Sequence, residues 1–316
     1  MAQHPHRFDE FTDEEIEKLI TSLESLREGE LGVSMLVACG QKAVPALRRY
    51  LLEGRPRVVY QPRQRAVRAL AELGAKDVLL DYLATPKDSL APEIRYAEEG
   101  VESTAARLVS KWQTEDVFRV LLNLVSHRTV VGAIETLGEF RRIEALPVFI
   151  RLLGDDVGRT FAADAIRNLG SDATADLIEA AITPDPNRPE EAPSSLVRRR
   201  QALRLLWDLS SLRDKHELPK LKALLYDPDP EIAAWSAQMF LREGNEDEKA
   251  YAAKVLLDVY GSTNWTIQAE IQQTLQSRLE VVRPIAQRRA KMQLSYAEAM
   301  LLRCLMAMPD PEHRCE

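Results

Sequence analysis

Cysteine is scarce: Cys39, Cys304 and Cys315 are the three in 316 residues, and they stand far apart. That excludes a disulfide framework and any Cys-x-x-Cys metal or redox motif, and a reducing compartment is expected. Histidine is nearly as sparse. Only His127 and His216 lie away from the tails, neither with a cysteine at ligand spacing, so zinc hydrolysis and His/Cys nucleophilic chemistry lack parts. There is no GxGxxG and no GxxxxGK[ST], the commonest phosphate cradles. No apolar run approaches the ~20 residues needed to span a bilayer, and the first residues lack an apolar signal core, so a cytoplasmic location without membrane contact is expected. A net charge of -7 argues against general coating of nucleic acid. No cofactor or metal is implied, and the chain reads as non-enzymatic.

What is abundant is Leu, Ala, Arg and Glu, as in stacked helices. Prolines mark a period. Pro45, Pro147, Pro219 and Pro284 each open a leucine-rich segment, and their separations of 102, 72 and 65 residues divide into steps of about 34. Proline suits a first helical turn, where the amide proton it lacks would have no intrahelical partner. Gly40, Gly74, Gly138, Gly170 and Gly244 each close an apolar-periodic segment just before the next begins, as expected of residues that accept a left-handed helix end. Between Arg159 and Ile182 the unit is plain. Phe161, Ala162, Ala165, Ile166 and Leu169 form one stripe, Gly170 breaks it, and Ala173, Leu177, Ile178 and Ala181 form the second. This is a helical hairpin.

Gly, then Ala-Val-Pro-Ala-Leu (residues 43–47), then Leu-Leu, then Asp-Pro-Asp-Pro-Glu (residues 227–231) resembles HEAT repeats, particularly the short bacterial kind related to phycobilisome-lyase-like repeats. The resemblance covers most of the chain and implies an all-α fold: a right-handed superhelix, or solenoid, of about eight hairpins. Second helices are expected to start near residues 43, 76, 115, 145, 173, 217, 248 and 282, with one long first helix over roughly Pro92 to Trp112. The whole of 1–316 reads as one solenoid. Residues 1–30 hold a capping helix, with Thr12 as N-cap and Ile16, Leu19, Ile20, Leu23 and Leu26 on its stripe. Repeats occupy 31–292, and an apolar helix over Tyr296 to Met308, within 293–316, closes the rear or binds a partner.

Two groups of residues are candidates for binding. Arg48, Arg49, Arg55, Arg57, Arg63, Arg65 and Arg68 face a single acid, Glu53, with Val58, Val59 and Tyr60 among them. Guanidinium groups and a tyrosine on a loop suit carboxylate, phosphate or acidic-protein contacts; Arg55, Arg57, Tyr60, Arg63 and Arg65 are the first choice. A second series through successive second helices, Arg49, Arg119, Lys222 and Lys254 with Arg151 close by, could form a positive ladder on the concave face. Against both stands the bland reading, in which the arginines answer neighbouring acids and cover apolar stripes with their methylenes. The Pro184–Ser195 insertion should protrude on the same edge as the arginine-rich loop.

The leading expectation is therefore a scaffold that binds another protein, one with an acidic surface, on its concave face and one loop edge. The alternative is nucleic-acid binding, by resemblance to HEAT-like DNA glycosylases, for which Trp112 with Asp116 and Trp207 with Asp208 are the comparable pairs. Tryptophan at helical spacing is more often core.

Overall fold

The computed structural model describes residues 11–87, 89–185, 191–209 and 217–308. It is all-helical: 78% of it is helix, in 17 helices, with no strand among the described residues. Two compact units emerge, Met1–Phe149 with Asp156–Asn168, and Ile150–Asp155 with Leu169–Glu316. No helix of the described residues is long and apolar enough to cross a membrane.

Unit 1 begins with α1 (Asp13–Ser22), α2 (Gly29–Ala38) and α3 (Val44–Arg48), whose last turn widens into a π-turn over Arg49–Glu53. There follow α4 (Gln61–Glu72), α5 (Lys76–Ala84), α6 (Pro92–Val109), α7 (Glu115–His127) and α8 (Val131–Phe140). Helix α9 (Leu146–Leu152) crosses the division, and α10 (Arg159–Leu169) returns to unit 1 for all but its last residue. Helix α2 packs on α4, α4 on α6 and α6 on α8, and α5 packs on α7. The core between them is Leu36, Leu47, Leu70, Leu79, Val101, Leu121 and Ile134, all without exposed surface. Burying each such side chain is worth about 1.5–3 kcal/mol, which is what drives the stacking.

Unit 2 contains α11 (Thr174–Ile182), α12 (Pro193–Asp208), a 3-10 segment over Leu218–Tyr226, then α13 (Pro230–Glu243), α14 (Glu246–Val259), α15 (Trp265–Gln276), α16 (Leu279–Arg289) and α17 (Tyr296–Ala307). Here α12 packs on α13, α13 on both α14 and α15, and α17 on α16. Helix α17 is opened by a capping box of Ser295 and Glu298 and buries Leu301, Leu302 and Leu305, while Tyr296, Met300 and Met306 stay exposed.

The N-terminal cap is as the sequence suggests: the Thr12 hydroxyl accepts from the Glu15 amide at 3.3 Å and the Glu15 carboxylate accepts from the Thr12 amide at 2.8 Å. Leu26, however, is 89% exposed, because α1 ends at Ser22 and the chain has turned before residue 26. The long first helix runs over Pro92–Val109 and stops short of Trp112. Gly40, Gly74 and Gly170 take positive φ of 63°, 74° and 67°, the left-handed turn that only glycine reaches cheaply.

Gly138 does not follow them. It lies inside α8, where a Cβ would come within 2.9 Å of Ala165, so its role is close approach between helices, and the left-handed residue that ends α8 is Arg141 at φ 51°. Pro284 also departs from the pattern. It is the sixth residue of α16 rather than in its first turn, because that helix already starts at Leu279.

Candidate functional site

The arginine-rich edge is formed by residues 54–60 between α3 and α4. Arg55, Arg57, Val58 and Val59 are exposed there, the valines at 61% and 63%. Arg57 reaches Glu24 at 3.3 Å, and Tyr60 packs half-buried against Gly100. Arg55, Arg57 and Val59 line a groove of about 370 Å³ with Glu24, Tyr50, Pro62 and Arg63.

Arg63 and Arg65 are placed otherwise. Arg63 is buried, its guanidinium bonded to Glu98 at 2.6 Å, to the Leu51 carbonyl at 2.9 Å and to the Tyr50 carbonyl at 3.2 Å. Arg65 donates to the Leu23 and Ser25 carbonyls at 2.7 and 2.9 Å and to Glu30 at 3.1 Å. Both cations cap the carbonyl end of an earlier helix, where the backbone leaves acceptors unsatisfied. Both guanidinium groups are engaged within the chain, although Arg63 forms part of the wall of the groove.

In the second series, Arg49 is ion-paired to Glu17 and Arg119 to Glu115, one turn away on its own helix. Arg151 and Lys222 are exposed on α9 and on the 3-10 segment. Lys254 lines a cleft of about 510 Å³ between α14 and α16, with Asp258, Arg288 and Arg289. Of the two Trp/Asp pairs, Asp116 is held by Lys76 at 2.6 Å, a bond that lowers its carboxyl to about 2, while the Trp112 ring carries Lys111 at 4.2 Å. In the 184–195 insertion residues 186–190 lie outside the described residues; beyond them Glu191 pairs with Arg199 at 2.6 Å.

Two constellations escape sequence reasoning. The first is a buried charge network in unit 1. Glu98 and Glu102, one turn apart on α6, have no exposed surface. Glu98 takes Arg63 and, at 2.7 Å, the Tyr82 hydroxyl; Glu102 takes Lys87 at 3.0 Å and Arg128 at 2.8 Å. Lys87 also donates to the Tyr82 and Thr85 carbonyls and sits 4.2 Å above the Tyr82 ring. Burial raises the Tyr82 hydroxyl well above its ordinary range, with the Glu98 charge adding to it, and burial lowers the Lys87 ammonium against the pull of Glu102. Three cations answer the two carboxylates, the contact of Arg128 to Glu102 Oε2 being an ion pair rather than a directed hydrogen bond.

The second is a cleft of about 570 Å³ in unit 2, built where α12, α13 and α15 lie side by side. Helical spacing brings Arg204, Trp207 and Asp208 from α12, Trp235, Gln238 and Arg242 from α13, and Glu270, Gln273 and Thr274 from α15 to its walls. The Trp207 and Trp235 rings stand 6.1 Å apart, tilted by 56°, and the Arg242 guanidinium lies 4.0 Å over Trp207.

Gln238 is fully buried. Its Oε1 accepts from the Thr274 hydroxyl at 2.8 Å, but its Nε2 has no partner. Arg242 Nη2 and Glu270 Oε2 are likewise buried and unbonded. Burial raises the Glu270 carboxyl above its ordinary range; Arg204 opposes that and Asp208 adds to it. Arg242 Nε lies 3.0 Å from Glu243 without a directed hydrogen bond. Each unsatisfied buried polar atom costs about 1–3 kcal/mol, and this cleft gathers several of them. Among the described residues no group of three His, Cys, Asp or Glu could hold a metal ion.

No protein-family model matches the chain, and no curated protein matches it. Among solved structures it is similar to an engineered protein determined by a structural genomics consortium, at 17% identity over 92% of this chain and 95% of that one, with a TM-score of 0.20. A likeness at that TM-score carries no argument about fold or function.

Proposed function

We propose that the chain is a HEAT-like α-solenoid of about eight hairpins that acts as a non-enzymatic scaffold, holding a partner protein with an acidic surface at the 54–60 edge. The serial packing of α2 on α4, α4 on α6 and α6 on α8 supports the repeat reading. The observation that carries the binding reading is that Arg55, Arg57 and the exposed Val59 line one groove, with the exposed Val58 next to them in the chain. Exposed valines give a docking partner apolar area to cover, and the flanking guanidinium groups supply directional contacts to carboxylates. A nucleic-acid groove along the second helices has less support, because Arg49, Arg119, Arg151, Lys222 and Lys254 line no common groove among the described residues.

Affinity purification with the full chain and with the Arg55→Glu, Arg57→Glu double variant, read by mass spectrometry, tests this. Proteins with acidic surfaces should be captured by the parent chain and lost from the variant. Retention of every captured protein by the variant would remove the edge from consideration. Duplex binding at about 50 mM salt that weakens steeply as salt rises would favour the nucleic-acid reading instead.

A further inference from the structure

The cleft between α12, α13 and α15 takes no part in the docking edge, and its walls have a chemistry of their own. Two hydrogen-bond donors, Gln238 Nε2 and Arg242 Nη2, and one acceptor, Glu270 Oε2, are buried there without partners. They are close together along the helices. Gln238 is fixed by the Thr274 hydroxyl, and Thr274 stands one turn from Glu270, to whose carbonyl the same hydroxyl is 2.9 Å; one turn is about 5.4 Å. Beside them the Trp207 ring is half-buried, and Trp235 backs it.

We infer that this cleft is a binding site for a small zwitterion with an apolar or aromatic body, such as an α-amino acid: its carboxylate meets Gln238 and Arg242, its ammonium meets Glu270, and its side chain lies against Trp207. The charges of the lining select this class over simpler ones. Arg204, Arg242 and Arg278 stand with Asp208 and Glu270, so the walls carry both signs in near balance. A phosphate or dicarboxylate would sit against two carboxylates, and a plain cation against three guanidinium groups. A molecule bearing one charge of each sign satisfies the unbonded donors and the unbonded acceptor together. At about 570 Å³ the space falls within the range of ordinary small-molecule sites. Gln238 adds a buried amide edge beside the Thr274 hydroxyl, 2.8 Å away, which can meet one carboxylate oxygen of the ligand.

The test uses the full chain, isothermal titration calorimetry and tryptophan fluorescence. L-phenylalanine is the probe, with L-leucine as its aliphatic counterpart. 3-Phenylpropionate, which lacks the ammonium, and 2-phenylethylamine, which lacks the carboxylate, are the dissecting arms. At least one of the two amino acids should bind saturably, with a change in tryptophan emission. Each dissecting compound should bind about tenfold or more weaker than L-phenylalanine, the fold-change that one buried donor–acceptor pair is worth. Glu270→Gln, at a half-buried position, and Gln238→Met should each weaken binding to a similar degree, with circular dichroism confirming that both variants fold. No saturable binding of either amino acid up to about 10 mM overturns the inference. So does binding that is unchanged in Glu270→Gln, or a dissecting compound that binds as well as L-phenylalanine.

Discussion

The buried polar groups of α6 in unit 1 and those of the α12/α13/α15 cleft in unit 2 both lie where helices pack side by side. Their surroundings differ in completion. Around Glu98 and Glu102 every carboxylate has cationic partners, and Tyr82 adds a hydroxyl. Around Gln238 and Glu270 donors and an acceptor remain unbonded although the same helices could have carried their partners. Charges that meet an opposite charge help to hold helices in one register, whereas buried polar groups left open destabilise the fold. The comparison teaches that burial of charge alone does not mark a site: the carboxylates of α6 each meet a cation within the chain, whereas Glu270 shows no ion pair among the described residues.

The largest effect is expected from breaking the ion-paired network of α6. Arg63→Met strands the Glu98 carboxylate with only Tyr82 and uncaps the Leu51 and Tyr50 carbonyls. It should lower stability by about 3–5 kcal/mol in urea unfolding, as loss of one partner of a buried pair does. Adding Glu98→Leu to that variant should recover part of the loss, since the uncompensated charge is then gone.

A smaller effect should follow in the cleft. Gln238→Met removes one made bond and one unmade one, and the Thr274 hydroxyl still has the Glu270 carbonyl at 2.9 Å. The change in stability should stay within about 1 kcal/mol, and a loss as large as that of Arg63→Met would erase the contrast.

Acidity sharpens the comparison further. Burial raises the folded carboxyl of Glu270, so the native chain holds this proton more tightly than the unfolded one. The stability that the residue contributes is therefore present below its unfolded value and lost as pH rises through the folded one. Glu270→Gln should leave the melting temperature unchanged in acid and raise it slightly at pH 7, as melting curves at both values would show.

The least effect on stability belongs to the exposed edge. Arg55→Glu with Arg57→Glu should move the unfolding midpoint by no more than about 0.5 kcal/mol, while changing which proteins are captured.

Much of the helical grammar was legible in the sequence, and for local reasons. Thr12 with Glu15, Gly40, Gly74 and Gly170, and the prolines that open helices act within a turn of their own position. Gly138 misled because a glycine near a helix end has two uses, and only the neighbouring Ala165, brought in by tertiary packing, decides between them. The arginine cluster was legible as a cluster but not as two populations: whether an arginine faces solvent, as Arg55 does, or turns inward, as Arg63 does, depends on Glu98, 35 residues away. Glu98 and Glu102 themselves look like a solvated helix face when read along the chain. The cleft was the least visible, since its walls come from three helices between Arg204 and Arg278. Trp207 with Asp208 drew notice for its residue types, whereas the amide and carboxylate that complete the site carry no local signal.

A matched pair of isosteric changes tests the central contrast most directly: Glu98→Gln and Glu270→Gln, each removing one carboxylate charge, compared by urea unfolding of the full chain at pH 7. Glu98→Gln should lose about 3 kcal/mol or more, and Glu270→Gln should match the parent chain or exceed it. Equal losses in the two variants would contradict the account.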